Sequence, residues 1–180
     1  YIPDLLMVAG AYKDWAGIGG TTNFMAFGEF PFAGGERDLN KRWYRPGIIY
    51  DRKIGDVQSF DPSKIAEHVR HSWYEGETAR TPYEGETKPA FTKMGDTDRY
   101  SWLKAPRYDG HSMETGPLAQ MLVAYGQNHK VIKPMVDHVL KTLGVGPEAL
   151  FSTLGRTAAR GIQTLAIAQQ TATRRKEVQQ

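Results

Sequence analysis

Lys104, Arg107, His111 and Glu114 could do polar chemistry together, because one irregular run of chain carries all four. The lysine and the arginine can each bond a carboxylate or a backbone carbonyl. Glu114 stands just before Pro117, and a carboxylate near a helix N-terminus is favoured by the helix dipole. On the residues alone, that local role is the plainer reading of Glu114. Aromatic residues on one side and an apolar helix face on the other pin the run, as a scaffold does when it holds charged groups in place. The pattern by itself names no reaction.

Other candidates are weaker. His68 and His71 lie three apart beside Glu67, a spacing at which two imidazoles can share a helix face. A metal site needs at least one more ligand and none is close in sequence, so both read as partly buried or solvent-facing. His129 and His138 are isolated and receive no role. Gly17-Ile-Gly-Gly-Thr-Thr has neither phosphate-loop spacing and follows a helix, so it reads as a linker. No serine sits in a nucleophile-elbow context, and no carboxylate pair forms an acid–base frame.

Composition narrows the classes. The chain of 180 residues fits one domain or one slice of a larger one. It has no cysteine, which removes disulfides, thiolate nucleophiles and zinc ribbons together and leaves the compartment open. The formal charge of +3 is spread along the chain, so nucleic acid is not implied. Arg174-Arg175-Lys176 reads as a solvated helix end. No run approaches the roughly 18 apolar residues of a membrane span. No signal peptide is visible at Tyr1, and a segment starting within a longer protein would show none.

The elements that must position these residues divide into two halves. Residues 3–16 read as a helix with Pro3 and Asp4 in its first turn and an apolar stripe of Leu5, Val8, Ala9 and Tyr12. Residues 23–30 read as extended. Gly47-Ile-Ile-Tyr50 and residues 55–60 read as two strands of a hairpin turning at Asp51-Arg-Lys-Ile. Asp61-Pro62 has the form of a helix start, giving a short helix to Val69. Residues 70–99 are rich in turns, and Tyr74-Glu-Gly-Glu-Thr78 recurs as Tyr83-Glu-Gly-Glu-Thr87, an echo too short for a repeat fold. Pro117 starts a helix with Leu118, Met121, Leu122 and Tyr125 at helical spacing. Further helices follow: residues 133–143 stopped by Gly144, a short one from Pro147 to Leu154, and a long one from about Arg156. The long helix carries Ala158, Ile162, Leu165, Ala166 and Ala172 along one side. The class is α+β, with residues 1–99 as helix, short strands and long loops and residues 100–180 as the central run and helices.

Tyr100-Ser-Trp-Leu-Lys-Ala-Pro-Arg107 followed by Met113-Glu-Thr-Gly-Pro-Leu-Ala119 resembles the central part of the large subunit of nickel–iron hydrogenases. The resemblance extends to Tyr1-Ile-Pro-Asp-Leu-Leu, Asn23-Phe-Met-Ala-Phe-Gly, the run from Asp61-Pro-Ser-Lys-Ile to Ser72-Trp-Tyr, and Leu154-Gly-Arg-Thr-Ala-Ala-Arg160, in the family's order. Nearly the whole chain is covered, most like the uptake-type respiratory group. The family holds its metals with two Cys-x-x-Cys motifs. Soft thiolates are what such a centre requires, so this chain resembles an internal, metal-free segment of a single large-subunit domain.

The resemblance implies reversible oxidation of dihydrogen to protons and electrons by the intact subunit, with this segment alone inactive. It implies a nickel–iron centre with CO and cyanide ligands, a nearby magnesium, and electron transfer to an iron–sulfur small subunit. Partners would be that subunit and the remainder of the large subunit, in a periplasmic or membrane-associated enzyme with no span of its own here. Glu114 would lie outside the direct metal ligands, orienting water and relaying protons or charge. Lys104, Arg107, Arg156 and Arg160 would pair structurally or join the same water network. Gln163 stands where family members often carry an acid, which weakens proton transfer there. Alternatives are a hydrogen-sensing regulatory subunit, a respiratory-complex relative without nickel, and a non-catalytic interaction segment. The isolated segment is expected to be poorly soluble or oligomeric.

Overall fold

A computed structural model of the chain describes residues 2–84 and 87–178. They pack as two compact units, Tyr1–Phe60 with Glu114–Gln180, and Asp61–Met113. Strands and helices interleave in the first unit, so its parts come from both halves of the sequence.

The larger unit contains α1 (Ile2–Ala11), β1 (Phe24–Ala26), β2 (Glu29–Pro31), β3 (Arg42–Tyr44), β4 (Gly47–Ile49), α2 (Pro117–Gly126), α3 (Ile132–Leu143) and α4 (Thr153–Val178). Pro117 suits the first turn of α2 because its missing N–H would be unpaired there in any case. Every residue of α2 from Leu118 through Ala124 is buried. It is therefore enclosed on all sides and not seated by the single stripe its spacing suggests. The strands β1 and β4 pair antiparallel in the register Phe24–Ile49, Met25–Ile48 and Ala26–Gly47, and β2 pairs with β3 through Glu29–Tyr44 and Pro31–Arg42. Phe24, Ile49, Leu118, Leu122, Ile132, Val136 and Ile162 form the centre of the core.

Several expected elements are corrected. The α-helix expected over 3–16 ends at Ala11, and a 3-10 turn covers Lys13–Gly17. Among its described side chains Ala9 is buried and Leu5 and Leu6 are half-buried, whereas Val8 and the following Tyr12 are exposed, because the helix leans on α3 and α4 with that side. Residues 55–60 form no strand; the backbone of Gln58 exchanges two hydrogen bonds with Ile48, at 2.9 and 2.8 Å, and pairing stops there. Proline and glycine do set α3 and its neighbours. Gly144 takes the left-handed conformation, φ 64°, that closes α3, and Pro147–Leu150 is a 3-10 turn. Leu165 and Ala172 of α4 face outward, since the inward row runs through Ala158, Ala159, Ile162 and Ala166. The side chains of Arg174, Arg175 and Lys176 lie outside the described residues.

In the smaller unit, Asp61 caps as its sequence suggests, accepting from the Ser63 N–H at 2.9 Å. The helix expected to Val69 does not follow. One 3-10 turn, Pro62–Lys64, leads straight into β5 (Ile65–His68), which pairs antiparallel with β6 (Ala105–Tyr108). A four-residue ladder from Ile65–Tyr108 to His68–Ala105 satisfies the backbone groups that a helix would otherwise have bonded internally. Trp73 is buried against Phe91 and Trp102, with ring centroids 5.0 and 5.1 Å away. Within the echo, Tyr74 bridges Pro89; Gly85 and Glu86 of the second copy lie outside the described residues.

Candidate functional site around Glu114

Glu114 is held from its backbone outward. Its N–H donates to the Asn23 carbonyl at 2.8 Å and its carbonyl accepts from the Met25 N–H at 2.9 Å, which stitches it beside β1. The carboxylate then meets Arg156, whose Nε donates to Oε1 at 2.7 Å and whose Nη2 donates to Oε2 at 2.6 Å. The Thr21 hydroxyl donates to Oε2 as well, and Arg156 Nη1 donates to the Gly19 carbonyl. Both partners are largely buried, the side chains of Glu114 and Arg156 being 14% and 24% exposed.

Arg156 is aimed by the start of α4. Ser152 accepts from the Gly155 N–H at 3.0 Å and so caps the helix. A side-chain carbon at Gly155 would lie 2.0 Å from the Leu150 carbonyl oxygen, so only glycine lets the helix start this close to the preceding turn. The segment 18–22 is fixed to the same helix end, with the Thr153 N–H donating to the Ile18 carbonyl at 3.0 Å.

Burial alone would raise the Glu114 pKa. The Arg156 and Thr21 hydrogen bonds and the charges of Arg156 and Arg160 outweigh it, and the net shift is downward. Hydrogen bonding to Glu114 raises Arg156 in turn. Glu114 is thus an ionised acceptor at neutral pH. A carboxylate offers about four lone-pair positions, and three donors among the described residues meet it.

The other expected residues are placed differently. Lys104 and Arg107 fall in the smaller unit. Lys104 Nζ meets Glu67 Oε2 at 2.6 Å and lies 5.9 Å from the centre of the Tyr74 ring. Arg107 donates to its neighbour's carbonyl at Pro106, at 2.9 Å. His111 closes the turn after β6, its N–H bonding the Tyr108 carbonyl at 2.9 Å. Arg160 is exposed and acts on Glu114 through its charge. Gln163 donates to Gln120, a buried amide on α2. His68 is exposed on β5, and His71 bonds the Asp98 carbonyl at 2.9 Å and stacks on Tyr100.

Three residues that sequence reasoning passed over matter here. Thr21 sits in the run read as a linker, and Arg52 in the expected turn. His129 accepts from the N–H groups of Val131 and Ile132 at 3.2 and 3.3 Å and bonds the Trp43 carbonyl at 3.0 Å. The signal for His129 was available: α3 starts without a Ser, Thr, Asp or Asn cap, so another acceptor had to serve its first amides.

A family model described as nickel-dependent hydrogenase matches residues 1–180. The chain belongs to that family. It is 37% identical over 185 residues to the uptake hydrogenase large subunit of Rhizobium leguminosarum bv. viciae, covering 91% of this chain and 31% of that protein. It is 33% identical to the quinone-reactive Ni/Fe-hydrogenase large chain of Wolinella succinogenes, covering 91% and 31%. Among solved structures, the Ni-Fe-Se hydrogenase of D. vulgaris Hildenborough superimposes with a TM-score of 0.72 at 36% identity, covering 91% of this chain and 34% of that one. The reduced, active Ni-Fe-Se hydrogenase of Desulfomicrobium baculatum gives 0.76 at 30% identity, covering 99% and 36%. The chain therefore spans about a third of the length of the relatives it matches, and its α+β architecture is a slice of the hydrogenase large-subunit fold.

For a nickel-dependent hydrogenase, the donor set of these residues is incomplete. A nickel–iron centre takes soft sulfur ligands, and the chain has no cysteine. Among the described residues no group of three or more His, Asp or Glu is arranged to hold a metal ion. The residues present do not fit the family's metal centre.

Proposed function

We propose that this chain is the central part of the catalytic large subunit of a nickel–iron hydrogenase, which as a whole oxidises dihydrogen reversibly to protons and electrons. The observation that carries the reading is the family match over residues 1–180, backed by large-subunit relatives and hydrogenase structures at 29–37% identity. Metal ligation falls to residues outside this set, and with it the CO and cyanide ligands and the magnesium. The partners are the rest of the large subunit and an iron–sulfur small subunit. The setting is periplasmic or membrane-associated through partner subunits; the relatives' names, uptake and quinone-reactive, support a respiratory, membrane-associated enzyme, although no described helix is long and apolar enough to cross a membrane.

Within this enzyme the segment supplies scaffold and one polar anchor. Glu114, kept ionised by Arg156 and Thr21, presents its remaining lone pair to an ordered water and fixes that water's direction. A proton relay works best with a group whose pKa lies near the operating pH. Glu114 is held below the ordinary carboxylate range, so it orients water and holds charge and is poorly suited to carry a proton itself. Lys104, Arg107 and Arg160 act as structural cations.

The test is nickel analysis and hydrogen-dependent reduction of a viologen by the intact protein with its partner. Stoichiometric nickel and steady turnover support the enzyme. A protein without nickel, or one that binds hydrogen without turnover, removes the proposal. Glu114→Gln is expected to lower turnover while leaving nickel content unchanged.

A further inference from the structure

The turn after β4 carries an unusual pair. Asp51 and Arg52 are consecutive non-glycine residues in the left-handed region, φ 51° and 60°, and the Lys53 N–H closes the turn on the Tyr50 carbonyl at 2.9 Å. Glycine or asparagine is the usual occupant of such a turn. A costly conformation persists where surrounding contacts fix it, and here three contacts converge on Arg52. Its N–H donates to the Thr22 carbonyl at 2.8 Å, and its Nε donates to the Thr21 carbonyl at 2.8 Å. Its guanidinium carbon lies 5.3 Å from the centre of the Phe151 ring. Gly20 leaves the space for this: an added side-chain carbon there would lie 2.1 Å from Arg52 Nη2, although the Gly20 backbone is outside the left-handed region.

The segment these contacts hold is the one that completes the Glu114 site. Thr21 gives its hydroxyl to Glu114 and Gly19 its carbonyl to Arg156, while Thr21 turns its own carbonyl to Arg52. We propose that Arg52 is a positioning residue, a clamp that holds the 18–22 segment so that Thr21 and Gly19 meet the Glu114–Arg156 pair. The functional part of this inference rests on the reading of Glu114 given above; the structural part does not. Arg52 acts on Glu114 through Thr21.

Arg52→Gly separates the clamp from the fold, because glycine adopts the same backbone conformation without strain. Gly20→Ala attacks the same contact from the other side by expelling the guanidinium. In the intact protein with its partner, both are expected to leave the melting temperature close to wild type. Both are expected to speed amide exchange in residues 18–22 and at Thr153 by on the order of tenfold, the equivalent of one lost hydrogen bond. With the Thr21 donation loosened, the acid limb of hydrogen uptake is expected to move to higher pH. Unchanged exchange in Arg52→Gly overturns the clamp. Faster exchange with an unmoved acid limb, where Glu114→Gln does move it, overturns the link from clamp to site. If Glu114→Gln leaves the profile unmoved, the reading of Glu114 fails, and the exchange measurement, which needs no turnover, decides the clamp alone.

Discussion

Arg156 holds Glu114 edge to edge, Nε to Oε1 at 2.7 Å and Nη2 to Oε2 at 2.6 Å, and so joins the first turns of α4 to the chain beside β1. A lysine in this place keeps the charge but offers a point donor in place of a fork. Arg156→Lys is expected to cost about 1.5–2 kcal/mol of stability, the lower part of what one hydrogen bond to a charged group is worth. Arg156→Ala leaves a largely buried carboxylate unpaired and is expected to cost about 3 kcal/mol. Denaturant unfolding of both variants checks the order. An Arg156→Lys variant as stable as the wild type would show that the fork geometry contributes nothing.

The same pair sets a dependence on acid. Desolvation pushes Glu114 up but its hydrogen bonds and charged neighbours win, so the folded pKa lies below the ordinary 4.5. The folded state then binds fewer protons than the unfolded one, and stability rises with pH across that interval. The contribution is complete above about pH 4.5 and is lost as pH falls through the lower folded value. Glu114→Gln is expected to flatten this part of the stability–pH curve, measured by unfolding between pH 3 and 6. A parallel curve in the variant would place the acid sensitivity elsewhere.

His129 works in the neighbouring pH range. Burial is the largest influence on it, and the nearby charge of Arg45 adds to the downward shift, while the Trp43 carbonyl opposes them. With Nδ1 accepting from the amides that open α3, the ring is neutral and its Nε2–H donates to Trp43. Protonation would turn that acceptor into a donor facing two N–H groups. Stability from this residue is therefore present above about pH 6.5 and drains as pH falls through the lower folded value. His129→Ala is expected to cost about 1–2 kcal/mol at neutral pH, the loss of a helix cap and a bond. It should also remove this residue's share of the pH dependence below about pH 6.5 in thermal melts. Retained dependence would exonerate the ring.

What the sequence made legible follows from how local each signal is. Pro117, Gly144 and the Asp61 cap act on neighbours within a few residues, and each sits where its chemistry suggests. The run from Ile65 to His68 went to a strand because its partner, Ala105–Tyr108, lies some forty residues on and nothing nearby announces it. Glu114 was legible as a carboxylate worth attention. Its partners Arg156, Thr21 and Gly19 lie far away in sequence, and the left-handed backbone of Arg52 leaves no trace in residue type. Lys104, Arg107 and His111 belong to one compact unit and Glu114 to the other, and the partners seen within each unit are Glu67 for Lys104 and Arg156 for Glu114.

Two glycines should respond oppositely to the same change. At Gly155 an added carbon would meet the Leu150 carbonyl oxygen at 2.0 Å and the Leu150 Cα at 2.6 Å, so backbone must move, and with it the helix end that aims Arg156. Gly155→Ala is expected to cost about 2–3 kcal/mol, as overpacking against a fixed neighbour does. Gly10 lies within α1 with open space around it. Gly10→Ala is expected to add about 0.5 kcal/mol through helix propensity. Paired unfolding curves decide, and a destabilised Gly10→Ala would show that α1 is seated differently.

The described surface also makes a statement about assembly. Scattered apolar side chains are ordinary on a monomer, whereas broad exposed groups of them mark contact surfaces. Here Leu103 is 80% exposed and Met94 79%, with Phe91, Tyr100 and Trp102 also open in the same unit. In the other unit Met7 is 72% exposed, and Trp15, Ile18 and Phe32 are open as well. Water in contact with this much apolar area favours burial at about 25 cal/mol for each Å² covered. The 180-residue segment produced alone is therefore expected to self-associate and to sediment as a concentration-dependent mixture. A single monomeric boundary in sedimentation velocity, with cooperative melting, would show that these side chains need no cover.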